Sequence, residues 1–332
     1  MKLIIQIPCF NEAETLPGTL ADLPRTIDGI DVIETLIIDD GSSDRTIEVA
    51  RELGVDHIIR NKRNMGLART FQRGLDACMK AGADIIVNTD GDNQYAGSDI
   101  KKLVAPILAG KADIVIGDRR PADNPEFSAL KRKLQKIGSG VVTSMAGVQV
   151  PDSVSGFRAI SREAAGQLNI VSGFSYTTEM VIQAGKRGIA MTSVPVSTNP
   201  QTRESRLFKS MPGFIGRSAA TMVRTYAMYK PLRVFFFAGL FLSLLGAWPL
   251  LRFLWFFAQG TGAGHIQSLV IGGALLTIGS VCFMIAIIAD LIAVNRQLLE
   301  RALLRISRLE DSIERKAMKD DEPTTMKNGH PH

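Results

Sequence analysis

Two long apolar runs constrain this chain more than any other feature. Val234 to Phe257 is almost entirely apolar, interrupted by Pro249 and Arg252, and Ile266 to Ala289 carries no charge. Each covers 24 residues, against the roughly 20 that carry a helix across a bilayer. Two such runs in succession are rare in soluble domains, which argues against a buried pair of core helices. The connection 258–264 is uncharged. Lys209, Arg217, Arg224, Lys230 and Arg233 precede the pair, and Arg296, Arg301, Arg305 and Arg308 follow it. By the positive-inside rule both flanks are cytoplasmic and the short loop lies outside. Arg252 stands near the far end of its run, where a long cationic side chain can snorkel to the interface.

The remaining composition fits that reading. Of 332 residues, 45% are hydrophobic, and the excess sits near the C-terminus. The net charge is +6. Basic residues beside apolar runs point to anionic lipid rather than nucleic acid. The three cysteines, Cys9, Cys78 and Cys282, have no metal spacing and no disulfide framework. That is the pattern of a reducing compartment. Met1 to Phe10 does not read as a secretory leader, because its apolar stretch is short, is broken by Pro8 and lacks a small-residue cleavage site.

The first two thirds of the chain alternate between two patterns. Strands are expected at Leu3 to Ile7, Thr35 to Asp39, His57 to Arg60, Asp84 to Asn88 and Asp113 to Gly117, with a late one within Ile189 to Val196. Helices are expected near Glu14 to Leu23, Asp44 to Leu53, Leu67 to Ala81 and Ser98 to Ala109, and a basic, partly helical stretch at Phe127 to Gly147. This alternation predicts an α/β fold with a mainly parallel sheet. Ligands bind such sheets at the carboxyl ends of the strands. Asp39-Asp40, Asp90-Gly91-Asp92 and Asp118-Arg119 all fall there.

Asp90-Gly91-Asp92-Asn93-Gln94 follows the apolar run Ile85-Ile86-Val87. In extended geometry alternate side chains share a face, so Asp90, Asp92 and Gln94 would converge. Two carboxylates and an amide oxygen suit Mg²⁺ or Mn²⁺ and leave positions open for phosphates. A plain turn competes with this reading, since Asp, Gly and Asn are turn formers. An EF-hand does not fit, because Tyr95 stands where that loop needs glycine. At the second strand end, Asp40 suits ribose hydroxyls or a base, while Ser43 or Asp44 suits a helix cap. Asn64 to Arg69 leads into a helix whose first amides suit phosphate.

Taken together, Pro8-x-x-Asn11-Glu12, Asp39-Asp40-Gly41-Ser42, Asp90-x-Asp92 and Ser155-Gly156-Phe157-Arg158 after Asp152 resemble family 2 glycosyltransferases of the GT-A fold. Within them the chain is similar to the polyprenyl-phosphate glycosyltransferases. The resemblance covers about residues 1–233, and the hairpin matches the bacterial members. It implies that Pro8, Phe10, Glu12 and Asp40 line the nucleotide pocket. It also implies that Asp90, Gly91, Asp92 and Gln94 form the metal and diphosphate motif, and that Arg119 binds phosphate. Thr202 to Arg206 resembles a basic motif, with Arg206 at its cationic position. Phe10 replaces a common Tyr, and Arg206 a common Lys, which keeps the charge but changes its geometry. Arg203, Arg206 and Lys209, just before the membrane, suit a lipid phosphate or plain attraction to anionic headgroups.

The expected organisation is a cytoplasmic catalytic domain over 1–200, a juxtamembrane segment over 201–233 and two transmembrane helices within 234–293. An amphipathic helix over 294–318 and a disordered tail from 319 complete it. Leu207 to Tyr229 reads as a helix lying in the headgroup plane or packed on the domain. Leu298, Ala302, Ile306, Leu309 and Ile313 form a stripe that fits an interface with lipid or with another copy in a homo-oligomer. The implied partners are a nucleotide-sugar, tilted towards UDP over GDP, a polyprenyl phosphate and membrane lipid in a plasma membrane. The implied reaction inverts the sugar carbon with Mg²⁺ or Mn²⁺. A processive polysaccharide synthase would want more membrane helices and a Gln-x-x-Arg-Trp segment. A sugar nucleotidyltransferase would want a Gly-rich phosphate loop. A silent nucleotide-sugar-binding scaffold would not need Asp90, Asp92 and Gln94 intact.

Overall fold

The middle of the sheet is built from mostly apolar strands buried on both faces, as a parallel sheet covered by helices requires. A computed structural model describes residues 1–120, 129–170, 176–200, 227 and 230–320. The chain divides into two compact units, Met1–Phe214 and Ile215–His332. In the first unit the strands are β1 (Lys2–Cys9), β2 (Val32–Asp39), β3 (His57–Arg60), β4 (Ile85–Asn88), β5 (Ile114–Asp118), β6 (Arg158–Ser161) and β7 (Met191–Pro195). The helices are α1 (Leu16–Asp22), α2 (Thr46–Glu52), α3 (Leu67–Lys80), α4 (Ile100–Leu108), α5 (Ala129–Ala146), α6 (Arg162–Gln167) and α7 (Tyr176–Arg187).

The strand order is β3-β2-β1-β4-β6-β5-β7. Every neighbouring pair is parallel except the two that involve β6. The chain steps outward from β1 through β2 to β3, then returns to the other side of β1 with β4. The β1/β4 junction is therefore a topological switch point, where the loops after adjacent strands diverge and open a crevice. Leu3, Ile5, Ile7, Ile37, Val87, Leu103, Val104 and Phe157 form a single buried cluster on one side of the sheet. α3 packs on β1 and β2, and α4 on β5 and β6.

The expected strands are present with end shifts of at most three residues, whereas β6, α6 and α7 lie outside the periodic segments. β6 escapes a hydrophobic pattern because it opens on Arg158, which is fully buried. That guanidinium donates to the carbonyls of Ser155 (2.8 Å), Thr177 (2.7 Å) and Ser153 (2.8 Å). Burial lowers its pKa to about 10, so it stays charged at neutral pH. α6 begins at a conventional cap, with Ser161 Oγ accepting from Ala164 N at 3.2 Å.

The second unit contains α8 (Pro231–Ala258) and α9 (Ile266–Asp320), joined through a short 3₁₀ turn at Gly262–His265. Both are long and apolar enough to cross a bilayer. Their outer faces carry exposed large side chains, among them Trp248 at 77%, Phe241 at 65% and Leu291 at 64%. Such a surface is costly in water and matches hydrocarbon. The expected helix over 294–318 is not a separate element: α9 is one helix of 55 residues, or roughly 82 Å at 1.5 Å per residue.

Glycines set how closely α8 and α9 approach. A Cβ on Gly246 would lie 2.9 Å from the Gly272 carbonyl oxygen, and one on Gly272 would lie 2.9 Å from that of Gly246. Gly239 and Gly279 form an equivalent pair, and a Cβ on Gly279 would also meet Ser243 Oγ. Small residues at matched positions are how helices gain contact in lipid, where no hydrophobic effect drives them together. Gly273, beside Gly272, faces open space. Both tryptophans of the chain, Trp248 and Trp255, lie in α8 and report on this hairpin. Gly272→Val is therefore expected to lower the tryptophan-monitored unfolding temperature in detergent, reflecting an overpacking cost of about 1–3 kcal/mol. Gly273→Val leaves it unchanged. Equal effects of the two substitutions would contradict the packing described.

Candidate functional site

Three strand ends meet at the β1/β4 junction. β1 runs out through Pro8 and Cys9 into Phe10, Asn11 and Glu12. Asn11 adopts a left-handed backbone at φ 56°, which its short polar side chain tolerates. The turn is tied to the β2 end: Asn11 N donates to Ser42 Oγ (2.8 Å), Ser43 N to Asn11 Oδ1 (2.8 Å) and Glu12 N to Thr46 Oγ1 (2.9 Å). Ser43 thus serves the β1 loop rather than capping α2. Asp44 takes the role nearer to capping, with Oδ1 accepting from Thr46 N at 3.0 Å.

On the other side of the junction, β4 ends at Asn88 and the chain turns at once. Asp90 to Gln94 is not extended, and Asn93 is left-handed at φ 55°. Alternation along a strand therefore does not bring Asp90, Asp92 and Gln94 together, and a turn replaces it. Gly91 is the pivot. A Cβ there would lie 3.1 Å from Cys9 Sγ and 3.3 Å from Glu12 Cγ, so only glycine lets the two loops lie this close. Thr15 Oγ1 stands 2.9 Å from the Gly91 carbonyl oxygen and 2.7 Å from Glu12 Oε2, and Thr19 Oγ1 donates to the same carbonyl at 3.1 Å. Asp92 Oδ1 accepts from Gln94 N at 3.1 Å, and Asn199 N donates to the Gln94 carbonyl at 2.9 Å.

Asp90 is half-exposed by surface yet closely surrounded. Its pKa is raised to about 7, first by desolvation and then by the charges of Asp92 and Glu12, against a lowering by Arg119. Arg119 is held by a bidentate pair to buried Asp152, Nε to Oδ2 at 2.7 Å and Nη2 to Oδ1 at 3.0 Å. The expected phosphate-binding arginine is thus fixed in place, with its charge felt at Asp90. Glu12, Asp92 and Arg119 act electrostatically on Asp90, Gly91 lies against Glu12 and the Pro8 carbonyl, and Phe10 is 40% exposed.

Asp40 is buried, and its carboxylate is largely committed to the protein. Oδ1 accepts from Asn61 Nδ2 (2.8 Å) and Met65 N (2.8 Å), and Oδ2 from Gly66 N (2.9 Å). The Met65 and Gly66 amides just before α3 are therefore taken by Asp40. Asp40 anchors the 61–66 loop, and any ribose contact would use its remaining acceptor capacity. Arg203, Arg206 and Lys209 lie outside the described residues, as do residues 201–226 generally.

Several site residues were not singled out by sequence reasoning. Asn88 and Tyr176 back Asp90, Tyr95 packs beneath the motif, and Thr15 clamps Gly91. Asn88 had a signal, a polar residue closing a fully apolar strand. Tyr176 had none, since only the fold brings α7 to β4.

The donor set suits a hard divalent cation. Among the described residues no group of three or more His, Cys, Asp or Glu side chains can hold a metal. Asp90, desolvated and facing the charge of Asp92, is a site a cation would relieve, with other positions left to water or phosphate.

The sequence profile of glycosyl transferase family 2 matches residues 4–168. The UDP-N-acetylglucosamine–dolichyl-phosphate N-acetylglucosaminyltransferase of Methanococcus voltae is 30% identical over 222 residues, covering 59% of this chain and 86% of that protein. The undecaprenyl-phosphate mannosyltransferase of Micrococcus luteus is 24% identical, covering 68% of this chain and 93% of that protein. The fold is shared with glucosyl-3-phosphoglycerate synthase of Mycobacterium tuberculosis, crystallised with Mn²⁺, UDP and glucosyl-3-phosphoglycerate. That match has a TM-score of 0.52 at 18% identity over 68% of this chain and 78% of that one.

A cation at Asp90 must displace its proton. Because the folded pKa is raised to about 7, Mn²⁺ affinity is expected to fall about tenfold per pH unit below that value and to level off above it. Electron paramagnetic resonance titration across pH 5.5 to 8.5 would show this slope in the native chain and its loss in Asp90→Asn.

Proposed function

The chain belongs to glycosyl transferase family 2, and on that footing we propose that it moves one sugar from a nucleotide-sugar to a polyprenyl phosphate at the cytoplasmic face of a membrane. The observation that carries this reading is the pairing of Asp90 and Asp92 beside a fixed Arg119 at the β1/β4 switch point. The relatives that act on dolichyl and undecaprenyl phosphate support the acceptor class. The two apolar helices supply a reason for it. A polyprenyl tail leaves the bilayer only at roughly 0.8 kcal/mol per CH₂, so an enzyme that uses it must work at the surface.

In this reading Pro8, Phe10 and Glu12 form the wall that receives the nucleotide, and Asp40 keeps the neighbouring loop rigid. Asp90, Asp92 and Gln94 hold Mg²⁺ or Mn²⁺, which when bound neutralises charge on the leaving diphosphate. Arg119, locked by Asp152, adds a fixed positive charge there without reorganising during the reaction. The acceptor phosphate is already anionic, so it attacks the anomeric carbon without a strong general base, and the configuration inverts. Arg203, Arg206 and Lys209 pin the lipid phosphate before attack. Basic flanks on both sides of the hairpin set the catalytic domain and both termini in the cytoplasm. The continuous α9 offers a stripe through which copies associate.

The test is transfer by the purified full chain, with undecaprenyl phosphate or dolichyl phosphate and a panel of UDP- and GDP-sugars. A lipid carrying one sugar is the expected product, and a growing glycan would favour a processive synthase instead. Asp92→Asn is expected to cut the rate by at least about a hundredfold while the chain stays folded. Undiminished transfer by that variant would remove Asp92 from the site.

A further inference from the structure

Gly156 opens the segment that leads into β6, and nothing in its backbone asks for glycine. Its φ is not in the left-handed region. The requirement comes from its neighbours. A Cβ at position 156 would lie 2.9 Å from Tyr176 Oη and 3.1 and 3.2 Å from the two carboxylate oxygens of Asp90. The space where a side chain would begin is thus crowded by a tyrosine hydroxyl and by the Asp90 carboxylate.

Gly156 and the hydroxyl are held from behind. Asn88 Nδ2 donates to the Gly156 carbonyl at 2.8 Å and stands 3.2 Å from Tyr176 Oη. Gln6 Nε2 donates to Asn88 Oδ1 at 2.9 Å. On the far side, Gly156 N donates to Tyr95 Oη at 3.1 Å. The two tyrosine rings are packed in turn, Tyr176 on Phe71 with centroids 4.1 Å apart and Tyr95 on Phe157 at 4.9 Å. A chain of buried polar groups therefore runs from Gln6 in β1 through Asn88 to Gly156 and the two tyrosines, and Gly156 is where it comes up against Asp90.

We infer that Gly156 and Tyr176 are positioning residues that fix the Asp90 carboxylate for the cation, an inference that rests on the proposed metal site. Neither touches the reacting atoms. Gly156 leaves the carboxylate its place, and Tyr176, braced by Asn88 and Phe71, crowds the same point, so a side chain at 156 meets both the hydroxyl and Asp90. Groups that orient a ligand in this way typically change metal affinity by about 10- to 100-fold when altered.

The experiment is Mn²⁺ titration of the full chain by electron paramagnetic resonance, in the presence of UDP or GDP and well below the unfolding temperature. Gly156→Ala is expected to weaken Mn²⁺ by about tenfold or more. Adding Tyr176→Phe removes the hydroxyl that crowds the methyl along with Asp90, so Gly156→Ala/Tyr176→Phe recovers most of the lost affinity. Gly117→Ala is the control for crowding alone. A Cβ there would be equally tight, 3.1 Å from the Phe157 carbonyl oxygen and from both Val196 methyls, but these are not Asp90. It is expected to lower the unfolding temperature and leave Mn²⁺ affinity intact. If the native chain binds no Mn²⁺, the metal site itself is wrong. If the native chain binds it and Gly156→Ala binds it equally well, or the double variant recovers nothing, the positioning role is overturned.

Discussion

The crowding of carboxylates at the β1/β4 junction is the constraint on which the rest of the domain depends. Desolvation first, and then the charges of Asp92 and Glu12, raise the Asp90 pKa to about 7. Left alone, such a cluster opposes the compact state. The fold holds it together by neutral means: glycine at 91 so that two loops can touch, threonine hydroxyls on the Gly91 carbonyl, and the parallel register of β1 with β4. Arg119 acts on the cluster as a cation, and its own freedom is removed by Asp152. The surplus negative charge is what a divalent cation and a diphosphate would complete.

The supports of this cluster come from parts of the chain that carry no chemistry. Buried Arg158 makes no ion pair with a carboxylate in its three close contacts. It gathers three carbonyls and so fixes the turn from Ser153 to Ser155. Breaking that arrangement would strand carbonyls in the interior, which costs more than the bonds are worth when made. Asp40 plays a comparable part on the opposite side, gathering two amides and an asparagine to hold the loop before α3.

Much of this was legible in the sequence, for physical reasons that differ by segment. β1, β2 and β4 are buried on both faces, so their apolar runs stand out, and the acidic residues that end them could be placed at one edge. The two long apolar helices were legible because bilayer thickness sets the length by which such runs are recognised. Of the two readings of Asp90 to Gln94, extended and turn, local pattern cannot choose, and it is the left-handed Asn93 that decides for the turn. Asn64 to Arg69 shows a helix start in the sequence, yet only the fold shows Asp40 occupying the Met65 and Gly66 amides before it. β6 stayed hidden because its buried arginine looks polar until its carbonyl partners are known, and Tyr176 because its role depends on a contact 86 residues from Asp90 in sequence.

The account stands on one coupling: the carboxylates bind a divalent cation, and the cation completes the binding of the nucleotide's diphosphate. Calorimetric titration of the full chain with UDP and with GDP, in Mn²⁺ and in chelator, measures it directly. One of the two nucleotides should bind about tenfold or more tightly with Mn²⁺ than without, and by reciprocity should tighten Mn²⁺ by the same factor. Equal nucleotide affinity with and without the cation would contradict the account.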